Sequence, residues 1–204
     1  MDASSLVARV ADVYARSDPP SWPNPHADRE ASEEEYSRVT DPGRYTAVLL
    51  RARAWVEVLS GLADVEASRD GSGVRLVSAQ PGTQPLVVVE ESPDGGVPSV
   101  RVGLADAAEA ELFPDCGCDA CDFGSADLLE GLDSAVLELL GGAVLLVGDD
   151  WQGLWTTDGG GSVSGGARIP ELEQVMAWGE RAYAGDAAAV PEGVQVLVNR
   201  AWVR

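Results

Sequence analysis

The stretch DPGRYTAVLLRARAWVEVLSGL, residues 41–62, carries a broad apolar stripe at helical spacing. Tyr45, Val48, Leu49, Ala52, Trp55, Val56, Leu59 and Leu62 recur every three or four positions, which lines them along one face of a 3.6-residue helix. Arg51, Arg53 and Glu57 fall toward its flanks and back. Asp41 is placed to cap this helix, and Pro42, with its φ already set, to open the first turn. Directly afterwards the period changes from 3.6 to two. Val74-Arg75-Leu76-Val77, Leu86-Val87-Val88-Val89 and Val100-Arg101-Val102 read as strands between turn signals at Asp70-Gly71 and Pro93-Asp94-Gly95-Gly96. An antiparallel meander following a core helix is therefore expected over residues 65–105.

The same alternation repeats on either side of this block. Upstream, Leu6, Val7, Val10, Val13 and Tyr14 share one helical face, with Arg9, Asp12 and Arg16 toward water. Downstream, Ser125 is placed to cap a helix presenting Leu128, Leu129, Leu132, Val136, Leu139 and Leu140, which Gly141-Gly142 ends. Ala143 to Val147 and Leu154 to Thr157 can pair as strands. Ile169 to Tyr183 returns to helical spacing through Leu172, Val175, Met176 and Ala182, and Val194, Val196 and Val198 alternate in a last strand. Helices and antiparallel strands in this segregated order give an α+β fold. The expectation is one domain over residues 1–204, with antiparallel meanders packed against three to four amphipathic helices. A Pro-rich strap over 17–30, carrying Trp22 and His26, cannot be regular, because each Pro removes a donor and restrains its predecessor. Trp22 is expected to pin that strap to the body. Glu33, Glu34 and Glu35 either open a short helix, where negative charge near the N-terminus is favourable, or form a solvated acidic cap, the preferred reading.

Composition removes many functions. The 204 residues hold 34 acids against 14 basic residues, a formal charge of −20, which repels nucleic-acid phosphates and anionic lipid. Neither nucleic acid nor membrane is an expected partner. Every basic residue is Arg, so no lysine exists for a Schiff base or a phosphate-binding loop. The single histidine, His26, rules out sites built from two imidazoles. No basic, apolar leader opens the chain and no apolar run approaches about 20 residues, so a cytoplasmic protein is expected.

The most specific chemistry lies in the loop 114–122, Pro114-Asp115-Cys116-Gly117-Cys118-Asp119-Ala120-Cys121-Asp122. Cys118 and Cys121 at C-x-x-C spacing can wrap one zinc ion, and Cys116 can approach through Gly117. A tetrahedral site needs a fourth donor. His26 serves if the strap folds back over the loop; Asp115, Asp119, Asp122 or a water are the alternatives. Unligated thiols, or a Cys116–Cys121 disulfide formed on oxidation, remain open for the same residues. A reactive cysteine is disfavoured by the three neighbouring aspartates, which oppose a thiolate. Elsewhere, Gly159 to Arg168 lacks the features of a phosphate loop and reads as a flexible connection. Asp149-Asp150 reads as a turn, and Trp151, Trp155, Trp178 and Trp202 as packing residues.

Trp22-Pro23-Asn24-Pro25-His26, the run Glu33 to Pro42 and the loop Phe113 to Asp122 together resemble an uncharacterised actinobacterial family of unknown function. The resemblance spans most of the chain and implies a cytoplasmic bacterial protein, without bringing an activity or a catalytic residue. The residues themselves point to a binding or interaction protein, stapled by zinc at Cys116, Cys118, Cys121 and His26, whose acidity suits a basic protein partner. The alternative is a metal- or thiol-dependent enzyme using the same loop.

Overall fold

The computed structural model describes residues 2–94, 96–105 and 110–202. Among the described residues four α-helices and nine strands alternate along the chain as an α+β fold. Helix α1 (Ala3–Ala15) buries Leu6 and Val10, and Asp2 caps it by accepting from the Ser5 amide at 2.9 Å. Helix α2 (Thr46–Ser60) buries ten of its residues, Trp55 and Leu59 among them. Strands β1 (Val65–Asp70), β2 (Gly73–Ser78), β3 (Leu86–Glu91), β4 (Ser99–Leu104) and β5 (Glu111–Phe113) form an antiparallel sheet in that order. The expected β3–β4 connection at Pro93-Asp94-Gly95-Gly96 includes Gly95, which lies outside the described residues.

This sheet is packed on one face. In β2, Val74, Leu76 and Ser78 are buried while Arg75 and Val77 face water, the alternation that a half-covered sheet requires. Val74, Leu76, Leu86, Val88, Val100 and Val102 join residues of α1 and α2 in one cluster. Each such side chain contributes about 1.5–3 kcal/mol by leaving water.

Helix α3 (Ser125–Gly141) packs against α2 and against strands of both sheets. The second sheet has the order β8-β7-β6-β9, built from β6 (Ala143–Val147), β7 (Trp151–Thr156), β8 (Gly161–Gly165) and β9 (Gln195–Asn199). Its two faces do different jobs. Val144 and Leu146 pack with Val175 and Ala182 of α4 (Leu172–Tyr183) in a second cluster. Leu154 and Leu197, both in register with Leu145, pack toward the first cluster. Asn199, with no exposure, joins the parts: its amide donates to the Leu139 carbonyl at 2.6 Å and its Oδ1 accepts from the Gln84 amide at 2.6 Å.

Several local expectations differ from what is found. Asp41 makes no side-chain cap; a 3-10 turn, Pro42–Tyr45, intervenes before α2 begins. Arg51 is not on a flank but 6% exposed, with Nε donating to Asp133 of α3 at 2.9 Å, and Trp55 donates to the same carboxylate at 2.7 Å. Glu35 is 5% exposed, not solvated: it closes a capping box with Ser32 in a 3-10 helix, Glu33–Ser37, and pairs with Arg29 at 2.6 Å. The glycine-rich stretch forms the edge strand β8. A Cβ on Gly161 would come within 2.3 Å of Met176 Sδ, so glycine is what lets this strand run against α4.

Candidate metal centre

Strap, loop and the start of α3 meet at one corner, held by groups far apart in sequence. Ser125 opens α3 but bonds the strap rather than its own helix: its Oγ accepts from the Trp22 amide at 3.2 Å and donates to the Trp22 carbonyl at 3.1 Å. The preceding residue, Gly124, has φ +93°, and a Cβ there would lie 2.7 Å from the Asn24 nitrogen. Only glycine allows the strap backbone this close. Trp22 Nε1 donates to the Asp122 carboxylate at 2.8 Å.

Two of the loop's aspartates are drawn into this corner. Asp119 accepts from Arg38 Nε at 2.6 Å, from the Thr40 amide at 2.8 Å and from Thr40 Oγ1 at 2.6 Å. The Arg38 hydrogen bond, followed by those from Thr40, holds its carboxyl down at about 2. Asp122, 3% exposed, pairs with Arg44 at 2.7 Å. The Arg44 guanidinium in turn lies over the rings of Trp22 and Tyr45, 5.3 and 5.2 Å from their centroids. Sequence reasoning placed Asp119 and Asp122 as possible metal donors or as repulsion against a thiolate. The structure instead sets both against arginines, which cancels much of that repulsion. Arg38, Thr40 and Arg44 carried no sequence signal, because the pairs they make span about eighty residues of chain.

With the carboxylates turned aside, the sulfurs stand together. Cys116 Sγ and Cys118 Sγ are 3.2 Å apart, and the sulfurs of Cys116, Cys118 and Cys121 all lie within 4.8 Å of one another. All three cysteines are free. Among the described residues they are the group whose atoms could hold a metal ion. The residues Asp119–Cys121 form a 3-10 turn after Cys118. Burial pushes the Cys118 thiol up, but hydrogen bonds from Cys116 and Cys121 and from the Cys121 and Ala120 amides bring it, on balance, below its usual range. Cys121 is the partner left protonated: its hydrogen bonds to Cys118 and Cys116 push it up to about 12.

His26 does come back over the loop, and its ring is engaged there. Nε2 donates to the Asp119 carbonyl at 2.8 Å, while Nδ1 is buried without a partner among the described residues. His26 is not part of the group whose ligand atoms lie within 4.8 Å of one another.

Beside the sulfurs lies a pocket of about 380 Å³, with Cys116 and Cys121 in its wall. Tyr45, Phe113, Phe123 and Leu128 supply apolar surface, and Glu111, Asp115 and Asp127 bring carboxylates. Three clustered thiols, two of them on a pocket, can bind a metal ion and leave one of its positions facing a ligand.

A model for the family of unknown function DUF6226 matches residues 10–204, and the chain belongs to that family. No curated protein and no solved structure matches it.

Proposed function

We propose that this is a zinc-binding interaction protein in which Cys116, Cys118 and Cys121 hold one zinc ion at the corner joining the strap, the loop and α3. The observation that carries this reading is the sulfur cluster, three ligand atoms within 4.8 Å of one another beside a 3-10 turn. A zinc–sulfur bond of about 2.3 Å in tetrahedral geometry puts sulfurs roughly 3.8 Å apart. The observed 3.2 Å pair and the 4.8 Å limit bracket that spacing. His26 holds the turn through the Asp119 carbonyl, the outer-shell contact that fixes a metal loop. The formal charge of −20 makes a basic protein the class of macromolecule that the field attracts.

A second reading, an enzyme in which zinc acts as a Lewis acid, is favoured by one feature, the pocket against Cys116 and Cys121.

Elemental analysis of protein purified without added metal tests the site. One zinc per chain is expected in the wild type and in His26→Ala, and none in Cys118→Ser. Circular dichroism of Cys118→Ser establishes that it is folded. A chelator should lower the melting temperature of the wild type and leave that of Cys118→Ser where it was. Equal, sub-stoichiometric metal in all three proteins overturns the proposal. Loss of zinc from His26→Ala would move His26 into the ligand set.

A further inference from the structure

We infer that the fourth position of the zinc ion opens onto the pocket before Cys116 and Cys121 and takes a small aliphatic thiol carrying a positive charge; this rests on the zinc reading above. Among the described residues no carboxylate or imidazole joins the three sulfurs in the group of ligand atoms that lie within 4.8 Å of one another. His26 Nε2 is engaged by the Asp119 carbonyl, Asp119 is held by Arg38 and Thr40, and Asp122 is held by Arg44 and Trp22. Cys118 is buried, whereas Cys116 and Cys121 reach the pocket wall, so the ion they share faces the same space.

The wall then selects the ligand. An ion already bound by three thiolates is a soft acceptor, and a fourth sulfur matches it better than an oxygen does. At about 380 Å³ the pocket is at the small end of the range that ligand sites occupy. Its lining holds Glu111, Asp115, Asp122 and Asp127 and no arginine or histidine, and of these Asp122 is already neutralised by Arg44. A carboxylate or phosphate on the ligand would be repelled and an ammonium attracted. Phe113, Phe123 and Leu128 leave apolar surface for the methylenes between sulfur and nitrogen. On binding, the thiol loses its proton to bulk water as the zinc–sulfur bond forms, and the water it displaces leaves the ion; no electrons are transferred.

The test uses the full chain loaded with cobalt(II) in place of zinc, whose sulfur-to-metal charge-transfer and ligand-field bands report the coordination shell. Cysteamine, 2-mercaptoethanol and mercaptoacetate are titrated in turn. Cysteamine should shift the bands saturably, at a concentration roughly tenfold below mercaptoacetate, the ratio that about 1.4 kcal/mol of charge preference produces. Mercaptoethanol should fall between them. Gly131 is in the pocket lining, and a Cβ there meets only Phe113 at 3.7 Å. Gly131→Leu should therefore fill the pocket, keep the cobalt spectrum and abolish the response, and Asp127→Asn should narrow the cysteamine preference.

A three-thiolate cobalt spectrum that no thiol alters, or that thiols only bleach, overturns the inference and leaves the metal reading standing. Equal response to mercaptoacetate overturns the ligand class. Failure to bind cobalt or zinc at all defeats both.

Discussion

Replacing Asp122 by Asn tests whether buried ion pairs hold the corner that presents the cysteines. The Asp122 carboxylate, 3% exposed, accepts from Trp22 Nε1 at 2.8 Å and the Gly124 amide at 2.9 Å and forms an ion pair with Arg44 at 2.7 Å. Asparagine keeps an oxygen for Trp22 and Gly124 but turns its amide group toward Arg44. Removing one partner of a buried pair costs about 3–5 kcal/mol, because the other charge is left without compensation. Arg44 retains its stacking on Trp22 and Tyr45, which offsets about 1–2 kcal/mol. The net loss is therefore about 1–4 kcal/mol, which for a chain of this size lowers the melting temperature by roughly 2–16 °C. Thermal unfolding followed by circular dichroism reads it, with chelator present so that metal binding does not contribute. Asp149→Asn, in the exposed turn before β7, is the control and should stay within about 2 °C. A double-mutant cycle with Arg44→Met should give a coupling of about 1–3 kcal/mol. If Asp122→Asn melts with the wild type, or its effect adds independently to that of Arg44→Met, this ion pair does not hold the corner.

Asp119 gives a pH signature. Its hydrogen bond from Arg38, with those from Thr40, lowers its carboxyl from 3.8 to about 2, so the stability it supplies is complete above 3.8 and is lost as pH falls from there toward 2. Asp119→Asn should flatten that part of the stability curve in acid titrations, and an unchanged slope would refute the assignment. Glu138 behaves in the opposite sense: burial first, then Asp158, raises its carboxyl above 4.5, so its ionisation opposes folding at neutral pH. It borders a cavity of about 270 Å³ between the sheets, and Glu138→Gln should raise the midpoint of urea unfolding at pH 7 but leave it unchanged below the ordinary glutamate range. A lower midpoint at pH 7 would show that the carboxylate is a stabilising partner.

What the sequence disclosed follows from which interactions leave a local trace. The stripe from Tyr45 to Leu59 and the alternation in Val74-Arg75-Leu76 are imposed by burial of one face, and burial repeats at short range. Helices and strands were therefore legible. Arg51 and Glu35 were misplaced because a charged side chain at an ambiguous helical position is assigned to solvent unless its partner is known. Their partners, Asp133 and Arg29, are specified by tertiary packing or an irregular strap rather than by periodicity. Ser125 failed as a cap for a related reason: its hydroxyl had a better-placed partner in Trp22, a hundred residues away in the chain. The strand at Gly161–Gly165 was hidden because its glycines answer a steric demand from α4 and not a propensity. The cysteine cluster was legible for the converse reason, since C-x-C-x-x-C spacing confines three sulfurs to a small volume before any tertiary contact forms. The pocket before them and the arginines behind them come from strands, strap and helix together, and no local pattern encodes that meeting.

Zinc-edge X-ray absorption of the protein as purified tests the metal centre most directly. Three sulfur scatterers at about 2.3 Å with one lighter donor are expected, and adding cysteamine should convert the shell to four sulfurs. A first shell made only of nitrogen and oxygen would contradict a centre built on Cys116, Cys118 and Cys121.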